Sequence, residues 1–258
     1  MTVKILAVGD VCGEPGLQYL EKNLKAIREE RNIRFCIVNG ENANVVGVTP
    51  KQINMMLQSG ADVVTLGNHT WTRTELQPYL NEKRRVLRPA NYGPQCPGRG
   101  INSFRTEFGD VCVLNLLGRF TLDYNTDNPF VIADGYMQEI REKIILVDFH
   151  AEATSEKLAF GYAFDGKVSA VWGTHTHVPT ADDMILPDGT GFVTDLGMTG
   201  PRFSVLGVKP EQSVSTFRGG LNSRFETAPG PCKLEAVAFT IDTATGRCVA
   251  TERIMIHE

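Results

Sequence analysis

Val168-Ser169-Ala170-Val171-Trp172 runs directly into Gly173-Thr174-His175-Thr176-His177. A short apolar, β-branched run reads as a buried strand. A glycine and two histidines one residue apart follow it. Four earlier runs are built the same way. Val3–Val8 leads into Gly9-Asp10, and Phe35–Val38 into Asn39-Gly40-Glu41-Asn42. Val63–Leu66 leads into Gly67-Asn68-His69, and Ile144–Phe149 into His150. The carboxyl ends of neighbouring strands in an α/β sheet open onto one crevice, so five such ends can pool their side chains in one site. The chain has five histidines, and only His257 lies away from these ends.

The segments between the runs carry helical signals. Leu17–Arg31 places Leu17, Leu20, Leu24 and Ile27 on one stripe. Thr49-Pro50 is an N-cap followed by proline at the first helical position, opening a helix through Leu57 that Gly60 ends. Helices are also expected over Thr74–Leu80, Phe130–Arg141 and Thr154–Phe164. Alternation of this kind predicts an α/β fold with right-handed crossovers and sheets covered on both faces. Arg88–Gly109, rich in glycine, proline and asparagine, is expected to be loop. Hairpins are expected for Met184–Leu186 with Gly191–Thr194, and for Leu234–Ile241 with Cys248–Ile256. Leu196–Gly230 is expected as a long loop over the site.

A chain of 258 residues, 42% hydrophobic and 22% charged, can bury a full core, and one domain over residues 1–258 is expected. The net charge of −4 lacks the basic footprint of nucleic-acid binding, so no stable nucleic-acid partner is expected. No apolar stretch approaches the ~20 residues of a membrane span, so no membrane partner is expected. Six scattered cysteines without a C-x-x-C, and no apolar leader before Val3, point to reduced thiols and a cytoplasmic protein.

The candidate metal donors are Asp10, Glu41, Asn42, Asn68, His150, His175 and His177, with His69 in reserve. Each alone has an ordinary explanation: a turn aspartate, loop polar residues, a surface histidine, a hydrogen-bonded core histidine. Their joint occurrence at strand ends points to one shared site. His175 and His177 in an extended segment would put both rings on one face. The set exceeds the four ligands of a tetrahedral zinc and suits two ions about 3.5–4 Å apart, bridged by a carboxylate. Mixed imidazole, carboxylate and amide donors favour Fe, Mn, Zn or Co over Mg or Ca. Such a pair makes a nucleophile from water at neutral pH, and a histidine beside it can protonate a departing alkoxide. Metal-assisted phosphoester hydrolysis is the chemistry these residues support.

The order Gly9-Asp10, Gly40-Glu41-Asn42, Gly67-Asn68-His69, His150, Gly173-Thr174-His175-Thr176-His177 resembles the calcineurin-like metallophosphoesterases, and among them the YmdB-like branch of cyclic-nucleotide phosphodiesterases. Supporting stretches are Asn39–Ala43, Leu66–Trp71, Arg88–Tyr92 and Asp195–Pro201, so the resemblance covers nearly the whole chain. It implies a four-layer α/β/β/α sandwich with mixed sheets, and two metal ions with Fe or Mn favoured over Zn or Co. It assigns one ion to Asp10, Glu41, Asn42 and His177, the other to Glu41, Asn68, His150 and His175, and makes His69 the general acid. It further implies a small phosphodiester substrate, 2′,3′-cyclic nucleotides ahead of 3′,5′-cyclic ones, and a homo-oligomer. The wider superfamily usually begins with Asp-x-His and bridges its metals with aspartate. Here Cys12 stands at the histidine position and Glu41 at the bridge, as in the branch, which leaves Cys12 outside the ligand set; a thiolate ligand is the alternative. A 5′-nucleotidase, a protein phosphatase or a regulatory binding protein are the rival functions.

Around the site, Asp148 and Glu152 are expected to cap or face solvent, with a hydrogen bond to a ligand imidazole as the alternative, and Thr174 and Thr176 to point away from the metals. Lys83-Arg84-Arg85 and Arg88 read as a solvated helix end, with phosphate attraction as the alternative. Arg119 and Arg202 are candidate substrate contacts. Tyr92, Phe120 and Phe203 are expected to pack, with base stacking as the alternative.

Overall fold

The computed structural model describes residues 1–122, 124–221 and 224–258. Alternation along the strands sets its layers. In the strand Thr2–Val8, Leu6 and Val8 enter one apolar cluster while Ile5 and Ala7 enter another. The first cluster lies under the helices Gly13–Glu30, Pro50–Ser59 and Leu76–Glu82, from which Leu17, Leu20, Leu24, Ile53, Met56, Leu76 and Leu80 are contributed. The second cluster joins two sheets face to face, with Val111, Val113, Ile144, Leu146 and Trp172 coming from the other sheet. Trp172 and Phe239 stack across the join, 5.8 Å between centroids. A third cluster packs the far face of that second sheet under the helices Pro129–Glu139 and Thr154–Ala163 through Ala133, Phe160 and Phe164. The result is the four-layer α/β/β/α sandwich.

Both sheets are mixed. The first runs in the order Asp10–Val11, Met198–Pro201, Cys232–Asp242, Thr2–Val8, Ile33–Asn39, Val63–Thr65, Val86–Leu87, with Cys248–His257 also paired to Cys232–Asp242. The second runs Met184–Ile185, Gly191–Val193, Ala170–Thr174, Ile144–His150, Gly109–Leu117, Ile101–Thr106. The strands before the candidate site lie parallel to their neighbours: Thr2–Val8 beside Ile33–Asn39 beside Val63–Thr65, and Ile144–His150 beside Ala170–Thr174. Parallel register brings their carboxyl ends to one edge.

Thr49 caps its helix reciprocally with Gln52, Pro50 opens it, and Gly60 ends it at φ 118°. That left-handed conformation carries no penalty only for glycine. The expected hairpins form. The helix expected over Thr74–Leu80 occupies Leu76–Glu82 instead, with Pro78 in its first turn, where a missing N–H costs nothing. Arg88–Gly109 is not all loop: Ile101–Thr106 pairs antiparallel with Gly109–Leu117 across a tight turn. Leu196–Gly230 likewise holds the strand Met198–Pro201 and the helix Pro210–Phe217. All six cysteines are free thiols, and five are buried. Among the described residues no helix is long and apolar enough to cross a membrane.

Candidate active site

The predicted donors meet where the edges of the two sheets adjoin. Asp10, Glu41, Asn42 and Asn68 follow strands of the first sheet, and His150, His175 and His177 end or follow strands of the second. His150 is the last residue of its strand and fully buried. Its Nε2 lies 2.8 Å from Glu41 Oε1, 2.9 Å from Asn68 Oδ1 and 3.1 Å from His175 Nδ1. Glu41 Oε1 is fully buried and, among the described residues, has no neighbour but the His150 ring at ion-pair distance to satisfy it. A buried carboxylate oxygen without a donor is costly, and a cation would satisfy it. Donor atoms of Glu41, His150 and His175 all lie within 4.8 Å of one another, so this group can hold a metal ion. Gly67 keeps the space clear: a Cβ there would run into the His150 ring and Glu41 Oε2.

Beside it stands a second group. His177 Nε2 is 3.0 Å from Asn42 Nδ2 and 3.7 Å from Asp10 Oδ1. Asn42 Nδ2 is 3.4 Å from that same aspartate oxygen. Asp10 Oδ2 accepts the His175 backbone N–H at 3.1 Å, tying the two groups together. His69 stands at the rim, partly exposed. Its backbone N–H donates to Glu41 Oε2 at 3.0 Å, and its ring Nε2 is 3.4 Å from Asn68 Nδ2.

The carboxylates favour positive charge here: against the effect of burial, Glu41 and Asp10 pull His150 up, and Cys12 and Asp10 pull His177 up, so a bound cation would replace protons on those rings. Burial pushes the Asp10 carboxyl up, but His177, His150 and the His175 N–H outweigh it and hold it below the usual carboxylate range. Burial likewise works against Glu41, and the His150 ring lowers it. Burial and the charge of His150 push His175 down to about 3. A neutral imidazole with a free lone pair is the form that binds metal.

Residues 6–254 match the family described as YmdB-like protein. The chain belongs to the YmdB-like family. A Bacillus subtilis (strain 168) protein named 2′,3′-cyclic-nucleotide 2′-phosphodiesterase is 42% identical over 259 residues, covering 99% of this chain and 98% of the relative. A hypothetical protein from Thermus thermophilus superposes with a TM-score of 0.93 at 37% identity, covering 99% of this chain and 100% of its own. A structure titled as a novel phosphatase from Mycoplasma pneumoniae gives 0.94 at 36% identity, covering 100% of this chain and 94% of its own.

In this YmdB-like chain the ligand candidates are held by residues that pattern alone misplaced. The strand carrying the histidine pair stops at Thr174; His175 and His177 take φ of 100° and 61°. The segment is therefore not extended, and the period-two argument for the two rings fails. Left-handed backbone at non-glycine residues is strained and persists where neighbours over-determine it. Asp195 supplies part of that hold: its Oδ2 accepts the Thr176 N–H at 3.2 Å and the Lys157 ammonium at 2.6 Å, with both charged side chains buried.

Thr174 stands behind His150, on the side of the ring opposite Glu41. Its hydroxyl donates to Asp148 Oδ1 at 2.7 Å and so accepts from His150 Nδ1 at 2.8 Å. A bound cation would replace a proton at Nε2, and the Thr174 hydroxyl would keep the remaining proton on Nδ1. Asp148 is fully buried, bonded also by Thr65 and Asn39, and is neither a cap nor solvated. Glu152 Oε2 is 3.2 Å from His175 Nε2, so it too supports a ligand candidate. Tyr124 accepts from Asn68 Nδ2 at 2.9 Å, which turns the Asn68 oxygen toward His150. The Leu206 carbonyl lies 3.0 Å from His177 Nδ1, the point where the long segment reaches the site as expected. Cys12 Sγ lies 3.4 Å from the same nitrogen and donates to the Asp10 carbonyl. Asp195 belongs to the quoted Asp195–Pro201 stretch and so had a signal; Tyr124 had none.

Two members of the basic run are engaged away from the site. Arg88 is buried with its guanidinium on the carbonyls of Pro89 and Pro97, and Arg85 bonds those of Ala61 and Asp62. Tyr92 packs edge-on against Trp71 at 5.3 Å. Arg202 lies over the Phe203 ring at 5.4 Å, and Arg119 and Phe120 are exposed.

Proposed function

We propose that this chain hydrolyses small phosphodiesters with two bound metal ions, and that 2′,3′-cyclic nucleotides are its substrates. The observation that carries the reading is the convergence of the buried Glu41 carboxylate with His150 and His175 donor atoms within 4.8 Å of one another, beside the Asn68 oxygen. One ion would be held by Glu41, Asn68, His150 and His175, the other by Asp10, Asn42 and His177 together with Glu41. Such ions, when bound, lower the pKa of water and neutralise phosphate oxygens.

The chain's own residues do the rest. Asp10 and Glu41 stay ionised, and His175 stays neutral. Thr174 and Asp148 fix the His150 tautomer. His69, anchored through its backbone on Glu41 and partly open to solvent, gives its proton to the departing sugar oxygen. Action like that named for the Bacillus relative would release the 2′ oxygen and leave a 3′-monophosphate. Iron or manganese as the native metal, a homo-oligomeric state and a cytoplasmic location belong to the same proposal.

The test is a substrate panel on protein loaded with Mn or Fe: 2′,3′-cyclic and 3′,5′-cyclic nucleotides, 5′-mononucleotides and a phosphopeptide. Turnover of 2′,3′-cyclic nucleotides to the 3′-monophosphate is expected. In His69→Gln, kcat should fall about 10²- to 10⁴-fold at unchanged metal content. Metal-loaded protein that turns over only 5′-mononucleotides or the phosphopeptide would replace this reading with a rival one.

A further inference from the structure

A cavity of about 590 Å³ is walled by Asn44, Val45 and Val46 on one side, Arg73 on another, and Arg224 to Thr227 on the third. Its position is set by the same loops that carry the candidate site. Asn44 comes two residues after Asn42, and Arg73 four after His69. The two loops touch: a Cβ on Gly47 would sit 3.2 Å from Arg73 Cγ and 3.6 Å from the His69 carbonyl. With its amide oxygen facing the guanidinium, Asn44 accepts from Arg73 Nε at 3.2 Å and Nη2 at 2.7 Å. The third wall is anchored as well, because Thr227 packs against Gly13, next to Cys12 and its contact with His177. Val45, a β-branched residue, is held at φ 62°, a conformation that such residues rarely adopt.

Three other cavities open at the amino ends of the strands, away from the site. One is lined by Asp110 and Ile144, one by Ile33 and Gly60, one by Phe35 and Asp62. The cavity beside Asn42 and His69 differs in position and in chemistry. It has one aromatic face, the partly exposed Phe225, and two guanidinium groups, Arg73 and Arg224. The carboxylate among its walls, Glu226, is neutralised by Lys209 at 2.6 Å. An aromatic ring with arginine planes is how proteins take up an unstacked base. The volume falls within the range of small-ligand pockets, about 300–1,000 Å³.

We propose that this cavity is the nucleoside subsite. The base of the substrate stacks on Phe225, and Arg73, Arg224 and Asn44 supply hydrogen bonds to its edge, while the phosphodiester lies at the metal site. The proposal rests on the cyclic-nucleotide reading above and adds where the base is recognised.

The experiment compares kcat/KM for a 2′,3′-cyclic purine nucleotide with that for bis(p-nitrophenyl) phosphate, a diester without a base, on the metal-loaded full chain. In Phe225→Ala the ratio of the two should fall about ten-fold or more, the usual contribution of one stacked base. Most of that loss should lie in the KM for the nucleotide, and Phe225→Tyr should restore the ratio. Adenosine, as a competitive inhibitor, should weaken in parallel. An unchanged ratio in both Phe225→Ala and Arg224→Ala, with the nucleotide still hydrolysed, overturns the subsite and leaves the function standing. Wild-type protein that cleaves the base-free diester but no cyclic nucleotide overturns the function and the subsite together.

Discussion

Thr174→Val keeps the shape of a buried β-branched side chain and removes one hydroxyl. That hydroxyl joins His150 Nδ1 at 2.8 Å to Asp148 Oδ1 at 2.7 Å. Two outcomes are open to the variant. His150 can keep its proton on Nδ1, leaving a buried donor unsatisfied at a cost of about 1–3 kcal/mol. Alternatively it can move the proton to Nε2, where it would face Glu41 and His175 and compete with a metal. Either way the metal form loses ground. Removing a hydrogen-bond partner behind a ligand typically weakens metal binding about 10- to 100-fold, equal to about 1.4–2.8 kcal/mol. The assay is the Tm of apo protein titrated with Mn, since a metal that binds the folded state raises stability in proportion to RT ln(1 + [Mn]/Kd). The Mn concentration needed for a given rise should increase at least ten-fold. Activity should fall at low Mn and recover in part at high Mn, while Thr174→Ser stays near wild type. A folded Thr174→Val protein whose Mn midpoint lies within two-fold of wild type would refute the tautomer argument.

Gly67→Ala places a methyl against the His150 ring and Glu41 Oε2. It should abolish metal uptake, read by elemental analysis, while costing about 1–3 kcal/mol of stability as overpacking does; full metal content would contradict the cradle. Lys157→Met breaks a buried ion pair whose aspartate also holds the Thr176 N–H. A loss of about 3–5 kcal/mol in urea unfolding is expected, and a loss under 1 kcal/mol would show that the pair is replaceable. Asp148 is pushed up from 3.8 to about 6 by burial, against the pull of Thr65, His150 and Thr174. Its folded form therefore binds the proton more tightly than the unfolded chain, so the stabilisation is fully present below about pH 3.8 and is lost as pH rises through about 6. Metal-free wild type should lose about 2–2.5 kcal/mol relative to Asp148→Asn between pH 4 and pH 7; a pH-independent difference in urea midpoints would count against it.

Much of this protein is legible in one dimension because strand ends mark themselves. An apolar run such as Ile144–Phe149 followed at once by His150 declares both the strand and its polar terminus, and local caps such as Thr49, Pro50 and Gly60 declare the helix between. The candidate ligands were found this way, since each lies within a few residues of its strand. What pattern could not supply was partnership across the sandwich. It could not say which end belongs to which sheet: Asp10 to Asn68 lie on the first and His150 to His177 on the second. It set His175 and His177 on one face because alternation assumes an extended chain, and the chain leaves that conformation at His175. Ile101–Thr106 read as loop because its pairing with Gly109–Leu117 outweighs a weak local preference. The sequence alone determined which residues are able to bind metal and that they stand at strand ends. The tertiary structure decided which of them touch, which nitrogen of His150 faces the Thr174 hydroxyl, and that Tyr124, Lys157 and Asp195 hold them there. Those facts depend on contacts between residues far apart in the chain, and local periodicity carries no information about them.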